Sequence, residues 1–116
     1  MAWKKGVKMT MGTDSGAPGV CHGLAFHREL ELMVTAQKIP AMAVLEAATR
    51  LNAELMGMGD ELGTIEPGKL ADVIVLEGNP LEDITMTRKV SLVIADGIRM
   101  ASNTAGMYLG IPGWSR

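Results

Sequence analysis

The stretch Gly63-Thr64-Ile65-Glu66-Pro67-Gly68-Lys69-Leu70-Ala71-Asp72-Val73-Ile74-Val75-Leu76 decides how the rest of this chain is read. Pro67-Gly68 is a type II turn signal: proline presets φ at the first central position and glycine accepts the positive φ of the second. Ala71 to Leu76 is nearly continuous in apolar residues, which predicts a strand covered on both faces. Gly78-Asn79-Pro80 ends that run. Val90 to Ala95 predicts a second strand, and Asp96-Gly97 a hairpin turn returning as Ile98 to Ala101. Residues 102–116 carry Gly106, Gly110, Pro112 and Gly113 and read as an irregular tail that includes Trp114.

Upstream of Gly57 the period changes from two to helical. A first helix is expected over 25–38, with Leu30, Met33 and Val34 inward and Arg28, Glu29, Glu31 and Lys38 toward water. Pro40 opens a second helix whose apolar stripe is Val44, Ala47, Ala48, Leu51 and Leu55, and Gly57 stops it. Before these, Gly6 reads as a helix-ending glycine with Lys4 and Lys5 in the last turn. Residues 7–12 read as a short strand with Val7, Met9 and Met11 on one buried face. That strand delivers Gly12-Thr13-Asp14-Ser15-Gly16, which presents one carboxylate between small residues. A loop follows over 13–25, holding Cys21 and His22, with His27 just beyond.

The chain has 116 residues, about one small domain, whereas a complete α/β barrel takes about 250. A net charge of −2 with 3% aromatic residues lacks both the basic stripe and the stacking platforms of a nucleic-acid binder. The 10 methionines read as gap-fillers of a core. Cys21 is the single cysteine, which excludes an intrachain disulfide and suits a reducing compartment, so a cytoplasmic location is expected. The start of the chain is too short and polar for a signal peptide, and no apolar run approaches the roughly 20 residues of a membrane helix, so no membrane partner is expected.

Taken together, Gly12-Thr13-Asp14, the helical Ala47-Ala48-Thr49 and Asn52-Ala53-Glu54-Leu55-Met56-Gly57, the stretch Gly63–Leu76, Asn79-Pro80-Leu81 and Val93-Ile94-Ala95-Asp96-Gly97 resemble the C-terminal part of the metal-dependent amidohydrolase superfamily. The similarity is greatest to the branch holding imidazolonepropionase and the prolidase-like metallopeptidases. The resemblance implies an α/β fold. Residues 1–58 would be the last strand, active-site loop and helices of an incomplete (β/α)8 barrel, and 59–101 the strands of a composite small β-sandwich, with 102–116 as tail. The unpartnered first strand and the doubly apolar 71–76 strand fit a piece of something larger, whose N-terminal barrel segment is then a required partner.

The resemblance places Asp14 as metal ligand and proton shuttle after the eighth barrel strand. A divalent metal, zinc before others and one or two per complete enzyme, would lower the pKa of bound water and polarise the scissile carbonyl. Asp14 would take the water's proton and pass it to the leaving amine. The implied substrate is a small amide, peptide or cyclic amide. His22 reads either as a substrate contact or as a surface turn residue. His27 reads as structural, and its spacing from His22 does not put both on one helix face. Cys21 has no partner for nucleophilic work, and Asp72 reads as structural. The family's His-x-His pair and its other barrel ligands have no counterpart here, so one aspartate cannot hold zinc and the isolated chain is expected to be inactive. Ile39 replaces a threonine cap of similar sequences, a loss of about 1 kcal/mol. A reading from another class remains: a non-catalytic α/β binding or oligomerisation module, forming a homo-oligomer through Met-rich surfaces.

Overall fold

A computed structural model describes residues 3–18 and 20–100. Three helices precede a small sheet: α1 (Leu24–Thr35), α2 (Ala41–Ala48), α3 (Arg50–Leu55), then β1 (Val73–Leu76), β2 (Val90–Ala95) and β3 (Ile98–Met100). Short 3-10 helices lie at Trp3–Lys5 and Ile84–Arg88. None of the helices among the described residues is long and apolar enough to cross a membrane.

The sheet has the order β1-β2-β3 with antiparallel pairs throughout. Val73 pairs with Ile94 and Val75 with Leu92, then Leu76 skips to Val90, leaving Ser91 as a bulge whose hydroxyl donates to the Val75 carbonyl at 3.1 Å. Asp96 and Gly97 both take positive φ, +50° and +73°, as a type I′ hairpin turn requires. The Asp96 N–H donates to Asp72 Oδ1 at 2.7 Å and the Gly97 N–H to the Ala71 carbonyl at 3.2 Å, so Asp72 serves the hairpin. Gly68 sits at φ +93° with the Lys69 N–H donating back to the Glu66 carbonyl, the turn Pro67-Gly68 predicts.

The core is formed by Met11, Leu30, Met33, Ile39, Val44, Ala47 and Ile84, with Trp3, Met9, Val34 and Leu51 packed against it. Ile39 is therefore a core residue, and α2 begins without any side-chain cap. Gly6 closes the Trp3–Lys5 turn at φ +75°, its N–H on the Trp3 carbonyl.

Several expectations are corrected. Residues 7–12 form no strand among the described residues. A strand exists through the ladder it shares with a neighbour, and no described backbone lies alongside; Val7 is accordingly 54% exposed, while Met11 is buried. The single helix expected up to Gly57 breaks at Thr49 (φ −123°, ψ −89°), whose hydroxyl bonds the Leu45 carbonyl four residues back. The break shifts the helical phase, so Leu55, expected in the stripe, is 71% exposed. Gly57 still ends α3 at φ +72°. The strand over 71–76 shortens to Val73–Leu76 and is not covered: Ile74 and Val75, which alternate onto opposite faces, are 52% and 44% exposed. Glu31, expected in water, is buried between two arginines. The tail, Trp114 included, and Ala101 lie outside the described residues.

Candidate functional site

Asp14 sits three residues beyond Met11, the last anchored point of the N-terminal segment. Met11 is held because its side chain enters the core and because the Asn52 carboxamide takes both of its backbone groups. Its N–H donates to Asn52 Oδ1 at 3.0 Å, and Asn52 Nδ2 donates to its carbonyl at 2.8 Å. From there the chain turns locally. The Thr13 and Ser15 hydroxyls bond at 2.7 Å, and the Ala17 N–H donates to the Asp14 carbonyl at 3.2 Å. Asp14 takes φ +50°, a left-handed conformation that aspartate tolerates better than most residues. Its side chain is exposed and makes no hydrogen bond to another described residue. A carboxylate held out by its backbone and left unpaired by the described residues is available to an incoming group.

His22 is brought to the same loop. Gly16 lies at φ +113°, and a Cβ built there would be 4.0 Å from both Cε1 and Nε2 of His22, so the imidazole lies beside the turn that carries Asp14. Cys21, next to it, is an exposed free thiol. Two surface hollows, of about 610 and 230 Å³, lie away from this loop. Trp3, Lys38 and Pro40 are among the residues lining the first, and Met9, Met33 and Leu51 among those lining the second; neither lining includes Asp14 or His22.

His27 stands apart. The Thr87 hydroxyl donates to the Ile84 carbonyl at 2.9 Å, so it accepts from His27 Nδ1 at 3.2 Å, which places the proton on Nδ1. Partial burial, then the nearby Arg88 charge, pushes the His27 pKa down from its ordinary value, against the pull of Glu31. Glu31 Oε2 accepts from Arg28 at 2.9 Å, while Arg88 approaches Oε1 as an ion pair off the hydrogen-bond direction. This cluster ties α1 to the Ile84–Arg88 turn, with His27 joined to it through Nδ1.

No group of three or more His, Cys, Asp or Glu among the described residues could hold a metal ion. A metal centre generally needs three protein donors or more, and the Asp14 loop offers one carboxylate with one imidazole nearby. The chain's own residues therefore do not fit a metal by themselves. Asn52 was not a candidate from sequence. Its signal is an amide side chain inside a helix, where asparagine is disfavoured unless something outside the helix uses it.

The amidohydrolase family pattern matches residues 1–100. The chain belongs to the amidohydrolase family. Among solved structures, a Xaa-Pro dipeptidase with bound methionine in the active site is 42% identical, with a TM-score of 0.80 over 87% of this chain and 24% of that one. A putative prolidase from Bifidobacterium longum is 40% identical, with a TM-score of 0.78 over 85% of this chain and 24% of its own. Guanine deaminase of Escherichia coli (strain K12) is 35% identical over 96 residues, 79% of this chain and 22% of the relative. The prolidase-like resemblance of the sequence agrees with the first two. This amidohydrolase chain spans about a quarter of the length of the relatives it matches.

Proposed function

We propose that this chain carries the proton-transfer carboxylate, Asp14, of a metal-dependent hydrolase that cleaves an amide, peptide or cyclic amide C–N bond. The observation that carries the reading is the exposed Asp14, unpaired among the described residues, on a left-handed turn within the family-matched region. In this reading residues 7–12 complete a barrel as its eighth strand once neighbouring segments supply the ladder. Residues 1–58 are the barrel part and 59–101 the sandwich part. The bare faces of β1 are covered by strands from outside the described residues.

Asp14 would be one ligand of a divalent metal, zinc by preference, whose other ligands would come from segments beyond this chain and which would supply Lewis acidity there. Asp14 accepts the proton from the attacking water at a carboxylate oxygen and delivers it to the leaving nitrogen. His22, beside Gly16, contacts the substrate at the mouth of the loop. The substrate is a small amide or a dipeptide.

The test replaces Asp14 by asparagine, which keeps the left-handed backbone and removes the base. In the full-length polypeptide, Xaa-Pro dipeptide hydrolysis should fall about 10² to 10⁴-fold with an unchanged unfolding midpoint; undiminished turnover overturns the assignment. A readout other than activity is zinc titration of the 116-residue chain. Asp14→Asn should bind zinc no more weakly than the parent, because one donor does not make a site.

A second reading, an oligomerisation module, draws on the exposure of Ile74, Val75 and Ile98. Light scattering separates the two: a stable homo-oligomer that buries this sheet, together with undiminished hydrolysis by Asp14→Asn, favours the module.

A further inference from the structure

We infer that Asn52 is a positioning residue: its carboxamide stands in for a neighbouring strand at Met11 and so sets where the following turn presents the Asp14 carboxylate. The inference rests on the reading of Asp14 above.

In a regular antiparallel ladder, a residue of the hydrogen-bonded type exchanges both its N–H and its C=O with one partner. Asn52 does the same with its side chain, accepting from the Met11 N–H at 3.0 Å and donating to the Met11 carbonyl at 2.8 Å. Only a carboxamide offers a donor and an acceptor in this amide-like pairing. The clamp satisfies both polar groups of a residue whose side chain is in the core, at a point where no described strand is available.

Helix α3 is a firm base for such a clamp. Ala53 is buried against Gly63, and Glu54 is paired with Arg50 at 2.7 Å and with Lys8 at 3.2 Å. The N-terminal segment is thus tied to α3 twice, at Lys8 by exposed charges and at Met11 by the carboxamide. The second tie is the nearer to Asp14. Beyond it, the hydrogen bonds of residues 12–18 are local to the loop. A shift at Met11 therefore carries directly to Asp14, with no other hydrogen-bonded tether between them.

A purely structural role for Asn52 would lower stability and leave the Asp14 turn where it is. The experiment compares variants of the isotope-labelled 116-residue chain by NMR. Asn52→Leu removes donor and acceptor at similar volume. Asn52→Asp keeps the acceptor and loses the donor. Ala53→Gly weakens the same helix without touching Met11. Asn52→Leu should speed amide exchange at Met11 about tenfold more than Ala53→Gly does, and should move the Thr13 and Asp14 backbone and carboxyl resonances. Asn52→Asp should move the same resonances while keeping more of the Met11 amide protection, which covers the case in which the leucine variant does not fold. Asp14 resonances that shift no further in Asn52→Leu and Asn52→Asp than in Ala53→Gly overturn the inference. Shifted resonances combined with full hydrolysis by Asp14→Asn in the full-length polypeptide establish the clamp and remove the catalytic reading of Asp14 instead.

Discussion

Two glycine-containing loops lean on helix α3, and they are held in opposite ways. The loop over 59–70 is packed against α3 at Gly63. A Cβ on Gly63 would meet Ala53 Cβ at 2.7 Å, Arg50 Cα at 2.9 Å and the Thr49 carbonyl at 3.1 Å. Lys69 reaches back to donate to the Gly59 carbonyl at 2.7 Å and to Thr64 Oγ1 at 2.5 Å. The Asp14 loop is hung. It is fastened at Met11 by one side chain, and its glycines, Gly12 and Gly16, meet nothing closer than 4.0 Å. The packed loop is shaped by what it touches and the hung one by where it is fastened. The difference suits the role proposed for the Asp14 loop, since a loop proposed to face a substrate is left unfilled by its own helix.

The largest expected effect tests the packed side. Gly63→Ala introduces an impossible contact with backbone and buried side chain at φ +89°, and should destabilise the chain by about 3 kcal/mol or more in urea unfolding. Gly12→Ala, in open space without positive φ, should change stability by less than about 0.5 kcal/mol. Equal losses at the two glycines would erase the contrast between the loops. Next comes Glu31→Leu, which strands two partly exposed arginines beside α1. It should lose about 1–2 kcal/mol, and an unchanged midpoint would show that the buried carboxylate holds nothing. Asp72→Ala should lose about 1 kcal/mol through the lost hydrogen bond from the Asp96 N–H, with Asp72→Asn recovering most of it through the same oxygen.

What the sequence made legible follows the same division. The Pro67-Gly68 turn, the Asp96-Gly97 hairpin and the Gly57 stop are local devices in which neighbouring residues dictate φ, and each forms where expected. Strands β2 and β3 are legible because the Asp96-Gly97 turn folds one onto the other as a hairpin. The break at Thr49 is not, because the apolar stripe runs through it and hides the hydroxyl's bond back to the Leu45 carbonyl, and the burial of Glu31 is not, because it depends on Arg88, far along the chain. At the candidate site, Asp14 and His22 are visible by residue type and motif, whereas Asn52 acts across 41 positions and leaves only the faint mark of a misplaced amide.

The smallest effect is in pH. Burial and Arg88 hold the His27 pKa below its ordinary value of 6.5, so the unfolded chain binds the proton more readily. Stability attributable to His27 is therefore fully present above about pH 6.5 and declines as pH falls through the interval down to the depressed folded value. His27→Gln should flatten that part of a plot of urea midpoint against pH. A slope unchanged in the variant would assign it to other groups.

The left-handed twist at position 14 also acts as a sieve on which amino acids can occupy it. Among acids, only aspartate combines tolerance of that backbone with a single methylene between chain and charge. Glutamate would bear the steric penalty and carry its oxygens one carbon further out. The proton chemistry proposed for Asp14 and the backbone shape favour the same residue independently, and an aspartate-to-glutamate swap confounds the two. Asparagine isolates the first, since it fits the twist and differs only in what its tip can bind.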